Sequence, residues 1–112
     1  MDAPPVLKTA ITRSGPRATV VVAGEIDIDT AAQLRHALGA ALSESASRVD
    51  VDFAGVDFCD CSGLAVLLWA GRQARARGAA LRVVNVTSPL VERLFHTTGT
   101  AGILLGPPDH GP

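Results

Sequence analysis

The turn Asp60-Cys61-Ser62-Gly63 places an acid, a thiol, a hydroxyl and a glycine side by side. The apolar run that follows it begins at Leu64 and has helical spacing, so the turn lies where the first backbone amides of a helix have no partners. Carboxylates, hydroxyls and anions are favoured at such a position. A phosphate attached to a hydroxyl here could be held by the amides and would change the local charge abruptly. The turn therefore has the chemistry of a switch.

Simpler interpretations of the same turn need neither a partner nor a reaction. Asp60 and Ser62 are residue types that commonly cap helices. Cys61 has acidic neighbours and lies far in sequence from every histidine, so a catalytic thiol paired with a histidine is disfavoured. Cys59 follows Phe58 and is expected to be a small buried residue. The sequence therefore predicts no catalytic residue.

The two cysteines are the only ones in the chain. Their separation is too short to join distant parts of a fold, and no second group of cysteines or histidines completes a zinc site of the usual spacing. We therefore expect free thiols, no metal and no cofactor, in a reducing compartment.

A second polar stretch, Gly24-Glu25-Ile26-Asp27-Ile28-Asp29, precedes another predicted helix. It follows a buried run of β-branched residues at 18–23 and leads into Thr30. Thr30 and Gln33 have the spacing of a capping box, in which each side chain would satisfy an unpaired amide at the helix start. The plain interpretation of the acids is a solvated loop, but their position after a strand makes them candidates for a shared site.

Hydrophobic periodicity divides the chain into alternating strands and helices. Predicted strands cover residues 7–13, 18–23, 48–53, 80–86 and, as a short edge strand, 103–105. Predicted helices follow Thr30, the 60–63 turn and Ser88-Pro89. The apolar face of the last helix is predicted to carry Leu90, Val91, Leu94 and Phe95.

The order of these elements indicates an α/β fold. A hairpin followed by helix–strand units is typical of a mixed, mostly parallel, twisted sheet, here of about four to five strands packed with about three to four helices. Sites in such folds gather at the strand-to-helix turns, and both polar stretches lie at turns of this kind. We expect one domain over residues 6–105, with a flexible N-terminus at 1–5 and a flexible tail at 106–112.

Composition and charge exclude several classes of protein. Of the 112 residues, 47% are hydrophobic and 19% charged, which favours a compact domain over disorder. The formal net charge of -1 shows no basic excess for binding nucleic acid or a membrane surface. No run has the length of a membrane span, and the N-terminus lacks the features of a secretion signal, so a cytoplasmic protein is expected. Four arginines are interpreted as a solvated helix end: Arg72, Arg75, Arg77 and Arg82.

Taken together, these motifs resemble the STAS domain family, and specifically its single-domain anti-sigma factor antagonists. The matching stretches occur in the family's order and separation: Gly24-Glu25-Ile26-Asp27 with Thr30-Ala31, Val49-Asp50-Val51-Asp52-Phe53, and Phe58-Cys59-Asp60-Cys61-Ser62-Gly63-Leu64. The resemblance covers nearly the whole chain, from Val6 to Leu105.

The resemblance implies a STAS-like fold and a protein with no catalysis of its own. In the proteins that it is similar to, the unphosphorylated domain binds an anti-sigma factor that is also a serine kinase, and the sigma factor is released. Phosphorylation of a serine on the turn makes the antagonist dissociate. By this resemblance Asp27 is the acid beside the turn, and Asp60 is the acid before the acceptor. The expected partner-binding residues are Glu25, Asp27, Asp29, Thr30, Asp60, Cys61, Ser62, Gly63 and Leu64.

The sequence departs from the family pattern at the phosphate acceptor. That pattern is an acid, a serine, a serine or threonine, and a glycine, and its acceptor is the first hydroxyl residue. Cys61 occupies this position, so Ser62 carries the only hydroxyl of the turn. Three interpretations stay open: Ser62 is phosphorylated instead, the protein is an antagonist without a switch, or Cys61 responds to oxidants.

Two other functions also stay open. A STAS module could scaffold a regulatory assembly without controlling a sigma factor, and an enzyme that uses Cys61 ranks third. The exposed edge of the hairpin allows weak pairing, so the expected state is a monomer or a weak homodimer.

Overall fold

The computed structural model describes residues 6–43 and 46–105. The predicted flexible ends, 1–5 and 106–112, lie outside the described residues and stay predictions. The strands are β1 (Lys8–Ser14), β2 (Arg17–Ile26), β3 (Arg48–Cys59) and β4 (Ala80–Val84). The helices are α1 (Ala31–Leu42), α2 (Cys61–Ala76), α3 (Pro89–Thr97) and α4 (Ala101–Leu104).

The sheet follows chain order, β1-β2-β3-β4. β1 and β2 form an antiparallel hairpin, whereas β2 pairs with β3 and β3 with β4 in parallel. Helices α1 and α2 provide the two crossovers that parallel strands need. The predicted mixed, mostly parallel sheet is therefore confirmed, with four strands and four helices in the part of the chain that the structure describes.

One face of the sheet forms the core against the helices. Alternate residues of β2 and β3, such as Val20, Val22 and Val51, are fully buried there. Helix α1 contributes an apolar stripe that includes Leu34 and Leu38, which are also fully buried. Close packing of these apolar side chains is the main source of stability for the domain.

Helix α3 is fixed to the end of the same core. The rings of Phe53 on β3 and Phe95 on α3 lie 6.3 Å apart between centroids, in a tilted arrangement. At the start of α3, Ser88 accepts a hydrogen bond from the Val91 amide, which confirms the predicted cap. Leu90 was predicted on the apolar face, but its side chain is 61% exposed. That part of the prediction is wrong, because no element within residues 6–43 and 46–105 covers the side of α3 on which Leu90 lies, whereas the next residue, Val91, is fully buried.

The opposite face of the sheet carries a buried carboxylate. The Asp50 side chain is only 9% exposed and lies between three guanidinium groups. The Nε atoms of Arg17, Arg48 and Arg82 lie 3.8, 3.0 and 3.4 Å from its oxygens. Arg82 therefore lies on β4 and pairs with Asp50 on β3, which Arg17 also joins to β2; this corrects the interpretation of Arg82 as part of a solvated helix end.

Strands β2 and β3 continue past their predicted ends. β3 was expected to stop at Phe53 but runs to Cys59, and β2 runs to Ile26. Their pairing shifts register between Val21 and Ala23 and again after Gly24, which breaks the alternation that signals a strand. Both strands therefore reach the two polar turns directly.

The last predicted strand, 103–105, is also wrong. Residues Ala101–Leu104 form one helical turn, in which the Thr100 carbonyl accepts hydrogen bonds from the amides of Ile103 and Leu104. Leu104 is 1% exposed and packs into the core. A run of three apolar residues is too short for periodicity to separate a strand from a helix.

Gly63 allows α2 to start close against the two central strands. A Cβ atom at this position would lie 2.7 Å from the Cys59 Sγ atom and would also overlap the Ile26 side chain. In the same helix a Cβ atom on Gly71 would have no neighbour within 4 Å. The two glycines therefore form a matched pair in which only one is required by packing.

We predict opposite effects on stability for alanine at these two glycines. Gly63→Ala should lower the free energy of unfolding by about 1–3 kcal/mol because the helix start must move away from the sheet. Gly71→Ala should raise it by about 0.5–1 kcal/mol because alanine favours the helix. Urea unfolding of the two variants measures both effects. Equal stability of the two variants would contradict the close contact at Gly63.

Candidate functional site

The two polar turns meet at one end of the sheet. Ile26 and Cys59 are paired across β2 and β3, and each is the last residue of its strand. The Asp60 amide donates a hydrogen bond to the Ile26 carbonyl, over 3.0 Å. Asp27 and Asp60 therefore follow directly paired residues, as expected for turns at the carboxyl ends of parallel strands.

Asp60 caps the start of α2. Its backbone is extended, and its Oδ1 atom accepts hydrogen bonds from the amides of Ser62 (2.8 Å) and Gly63 (3.4 Å). The predicted capping role is therefore confirmed. Two of the amides that could hold an added phosphate therefore already bind the Asp60 carboxylate.

Asp27 organises the other turn in a similar way. Its Oδ1 atom accepts hydrogen bonds from the amides of Asp29 (2.9 Å) and Thr30 (3.2 Å). The Thr30 hydroxyl donates to the Glu25 carbonyl (2.8 Å) and accepts from the Asp27 amide (3.0 Å). These hydrogen bonds fix the backbone of the loop, so its acids are presented on a defined frame.

The capping box predicted for Thr30 and Gln33 is wrong. Thr30 makes no side-chain cap to the helix, because its hydroxyl is used by the preceding loop. The Gln33 Oε1 atom instead accepts a hydrogen bond from the Leu7 amide, over 2.9 Å, beside the start of β1. Thr30 therefore binds the loop before it and Gln33 makes a tertiary contact, and neither partner belongs to the capping-box pattern.

The predicted partner-binding residues differ in exposure. The exposed ones are Glu25, Asp29 and Cys61, and the half-buried ones are Asp27, Asp60 and Ser62. Thr30, Gly63 and Leu64 are buried, so their side-chain positions offer no free surface to a partner. These three residues support the turns, while the other six form the accessible surface. We call this surface, Glu25, Asp27, Asp29, Asp60, Cys61 and Ser62, the acidic rim.

A groove that sequence reasoning missed lies beside the acidic rim. It has a volume of about 440 Å³ and separates the end of β3 from α3. Its lining residues are Phe58, Cys59, Asp60, Cys61, Leu90, Arg93, Leu94 and Thr97. A sequence signal existed in the apolar Phe58 directly before the turn, but nothing in the sequence placed α3 opposite it.

The single tryptophan lies in a different shallow pocket. Trp69 is half-buried, and the Arg35 guanidinium stacks over its ring at 4.2 Å from the centroid. Gly39, His36 and two alanines of α1 complete this pocket. The Trp69 ring is therefore already in contact with a cation of its own chain.

The described residues give no sign of a metal centre or a membrane span. In residues 6–43 and 46–105, no three histidine, cysteine or acidic side chains converge as metal ligands. None of the helices in this part of the chain has the length and apolar character needed to cross a bilayer.

The two cysteines have very different environments. Cys61 is exposed, whereas Cys59 is 5% exposed and its thiol lies 3.5 Å from the Asp60 carbonyl oxygen, to which it donates. Burial, with the charges of Asp60 and Cys61, raises the pKa of Cys59 to about 12. The Cys59 thiol therefore stays protonated near neutral pH, and the thiolate is the reactive form of cysteine.

We predict selective alkylation of Cys61 in the folded protein. With iodoacetamide at pH 8, Cys61 should react at least about ten times faster than Cys59, because Cys59 is buried and protonated. Mass spectrometry of digested protein over time measures both rates. The Cys61→Ser variant is the control and should take up almost no label unless it is first unfolded. Labelling of both cysteines at one rate would contradict the described environment.

Comparisons with known proteins agree with this fold. The family model described as "Mlab, STAS domain" matches residues 9–106. The anti-sigma-B factor antagonist of Bacillus subtilis is 32% identical over 85 residues, which are 76% of each chain. The Listeria monocytogenes protein of the same name is also 32% identical over 85 residues, 76% of this chain and 74% of its own.

Solved structures show the same architecture. An anti-sigma factor antagonist from Mycobacterium paratuberculosis superposes with a TM-score of 0.81 at 28% identity, covering 97% of this chain and 93% of its own. Unphosphorylated SpoIIAA, an anti-sigma factor antagonist, shares the fold with a TM-score of 0.74 at 20% identity, covering 88% and 86% of the two chains. With a family model that spans most of its length and these relatives, the chain belongs to the STAS domain family.

Proposed function

We propose that this protein is an anti-sigma factor antagonist, which binds an anti-sigma factor through the acidic rim and thereby frees a sigma factor. The observation that carries this proposal is the meeting of the Asp27 loop and the Asp60 turn at paired strand ends. The names of the relatives at 32% identity support the same function. We place the protein in the cytoplasm, where sigma factors act.

The charge of the acidic rim supports a basic partner surface. It contains four carboxylates, Glu25, Asp27, Asp29 and Asp60. Among the residues that the structure describes, none of these four forms an ion pair with a lysine, arginine or histidine. Unpaired charge of one sign on a rigid frame favours a partner of the opposite sign and speeds its association.

We further propose that the partner is a serine kinase and that Ser62 is the residue it modifies. In the described part of the chain the Ser62 hydroxyl makes no hydrogen bond, so it is available for transfer. A phosphate there would lie beside the Asp60 carboxylate, which already occupies the amides of Ser62 and Gly63. At about 6 Å and an effective dielectric of about 20, each pair of like unit charges costs about 3 kcal/mol before screening.

This repulsion gives the phosphate a way to weaken the complex. It displaces Asp60 from its cap and so disturbs the start of α2 and the acidic rim that the partner contacts. The effect is absent when the hydroxyl is unmodified. Cys61, the exposed residue at the family's acceptor position, gives the same kinase no hydroxyl.

The direct test of the function is a reconstituted transcription assay. The chain is mixed with each anti-sigma factor of its own genome and the matching sigma factor and polymerase. With one of them, the chain should bind and restore sigma-dependent transcription. Failure to bind any anti-sigma factor would overturn the proposal. Binding without released transcription would favour a scaffold role.

We predict that Ser62→Asp weakens binding to that anti-sigma factor about tenfold or more. The added carboxylate repels Asp60, and half of the energy of one such charge pair already corresponds to about a tenfold change in affinity. Ser62→Ala should bind within about twofold of the unchanged protein. Isothermal titration calorimetry measures both values, and equal affinities would remove Ser62 from the switch. In a parallel experiment, each chain is incubated with ATP and that anti-sigma factor, and its intact mass is measured. The unchanged chain should gain one phosphoryl group and Ser62→Ala none.

A further inference from the structure

We propose that the groove between the end of β3 and α3 is a second contact site for the anti-sigma factor, and that it takes an apolar side chain of that partner with a carboxylate beside it. This inference rests on the proposed function. It extends the contact surface from the acidic rim to α3, an element outside the expected partner-binding residues.

Two large apolar side chains border the groove without being covered. Phe58 on β3 is 39% exposed, and Leu90 in the first turn of α3 is 61% exposed. Neither is needed there for the core, which the neighbouring Val91 and Phe95 fill. Apolar side chains that converge on one concave surface favour an apolar occupant, and each buried side chain of leucine size contributes about 1.5–3 kcal/mol.

The walls of the groove are held in place by hydrogen bonds. The Ser88 hydroxyl donates to the Asp57 carbonyl over 3.0 Å, which joins the start of α3 to the end of β3. The same hydroxyl oxygen accepts from the Val91 amide, at 3.5 Å. On the other wall, the Asp60 amide is bound to β2. A groove that is already formed loses less conformational entropy when it is occupied.

The groove lining contains one cation, Arg93 on the α3 wall, whereas the Asp60 carboxylate belongs to the wall at the end of β3. Arg93 is exposed and lines the groove together with Leu90. Within residues 6–43 and 46–105 its guanidinium makes no ion pair and no hydrogen bond. A guanidinium that is free and planar binds a carboxylate through two parallel hydrogen bonds. The occupant therefore carries a carboxylate next to its apolar side chain, whereas the acidic rim faces basic groups.

The groove is continuous with the acidic rim. Asp60 and Cys61 belong to both, so no other surface separates them. The Asp27 loop follows β2, and α3 packs on β3. A partner that covers the turn therefore reaches the groove in the same encounter. An adduct on the exposed Cys61 would also project into this groove and reduce its space.

Two pairs of variants test the groove. The probe is the anti-sigma factor of the same genome that the unchanged chain binds, and the readout is the Kd. Leu90→Ala should weaken binding about tenfold or more, while Ile11→Ala, which removes an exposed side chain from edge strand β1, should leave it unchanged. Arg93→Glu should weaken binding by a similar factor, while Arg72→Glu near the other end of α2 should have no effect. Thermal unfolding should show all four variants folded, since these side chains are exposed.

The outcomes separate this inference from the proposed function. If Leu90→Ala and Arg93→Glu bind as the unchanged chain does while Asp27→Lys loses binding, the groove is not a contact site and the acidic rim still is. If no anti-sigma factor binds the unchanged chain, both proposals fall. The groove could instead hold a second copy of the chain. Sedimentation would then show a dimer that Leu90→Ala dissolves, and this result would also overturn the inference.

Discussion

The parallel pairing of β2 with β3 is the constraint on which the site depends. Because the two strands end on the paired residues Ile26 and Cys59, the chain leaves the sheet twice at one place. The hydrogen bond from the Asp60 amide to the Ile26 carbonyl extends this pairing into the second turn. Buried valines on one face and the Asp50 carboxylate on the other hold the strands together at their opposite ends. The distance between the two turns is therefore fixed by the sheet itself.

Two aspartates perform the same task on the two turns, and this limits how the site can respond to charge. Asp27 and Asp60 each accept hydrogen bonds from two backbone amides through one carboxylate oxygen. A helix start usually attracts anions, but here its own aspartate already satisfies part of that preference. A phosphate added to the turn would meet this carboxylate before it met free amides. The proposed switch therefore acts through competition and repulsion, more than through capture of the phosphate by the helix.

The features predicted correctly from the sequence are those determined by residues that lie close together in the chain. The caps at Asp60 and Ser88 were predicted because each follows from residues a few positions apart. The capping box predicted for Thr30 and Gln33 is wrong because Thr30 binds the Glu25 carbonyl in the preceding loop and Gln33 binds the distant Leu7 amide. β2 and β3 extend past their expected ends because they pair with each other there, with two shifts in register. These shifts disturb the alternation of apolar and polar residues, so the sequence did not reveal the additional strand residues.

The candidate site likewise has a part that the sequence predicted and a part that it did not. Sequence motifs and family resemblance placed the two acidic turns together, which follows from strand order alone. The groove could not be predicted, because helical periodicity gives Leu90 a face but does not say whether another element covers that face. The burial of Cys59, in contrast, was predicted from its place after Phe58, and the structure confirms it while leaving Cys61 exposed.

The most direct test of the account is a titration of isotope-labelled protein with its anti-sigma factor, followed by amide chemical shifts in two-dimensional NMR. The account predicts that the largest changes fall on residues 25–30 and 60–63 at the paired strand ends. Changes concentrated instead on the Asp50 face of the sheet, or on the C-terminal half of α2, would contradict it.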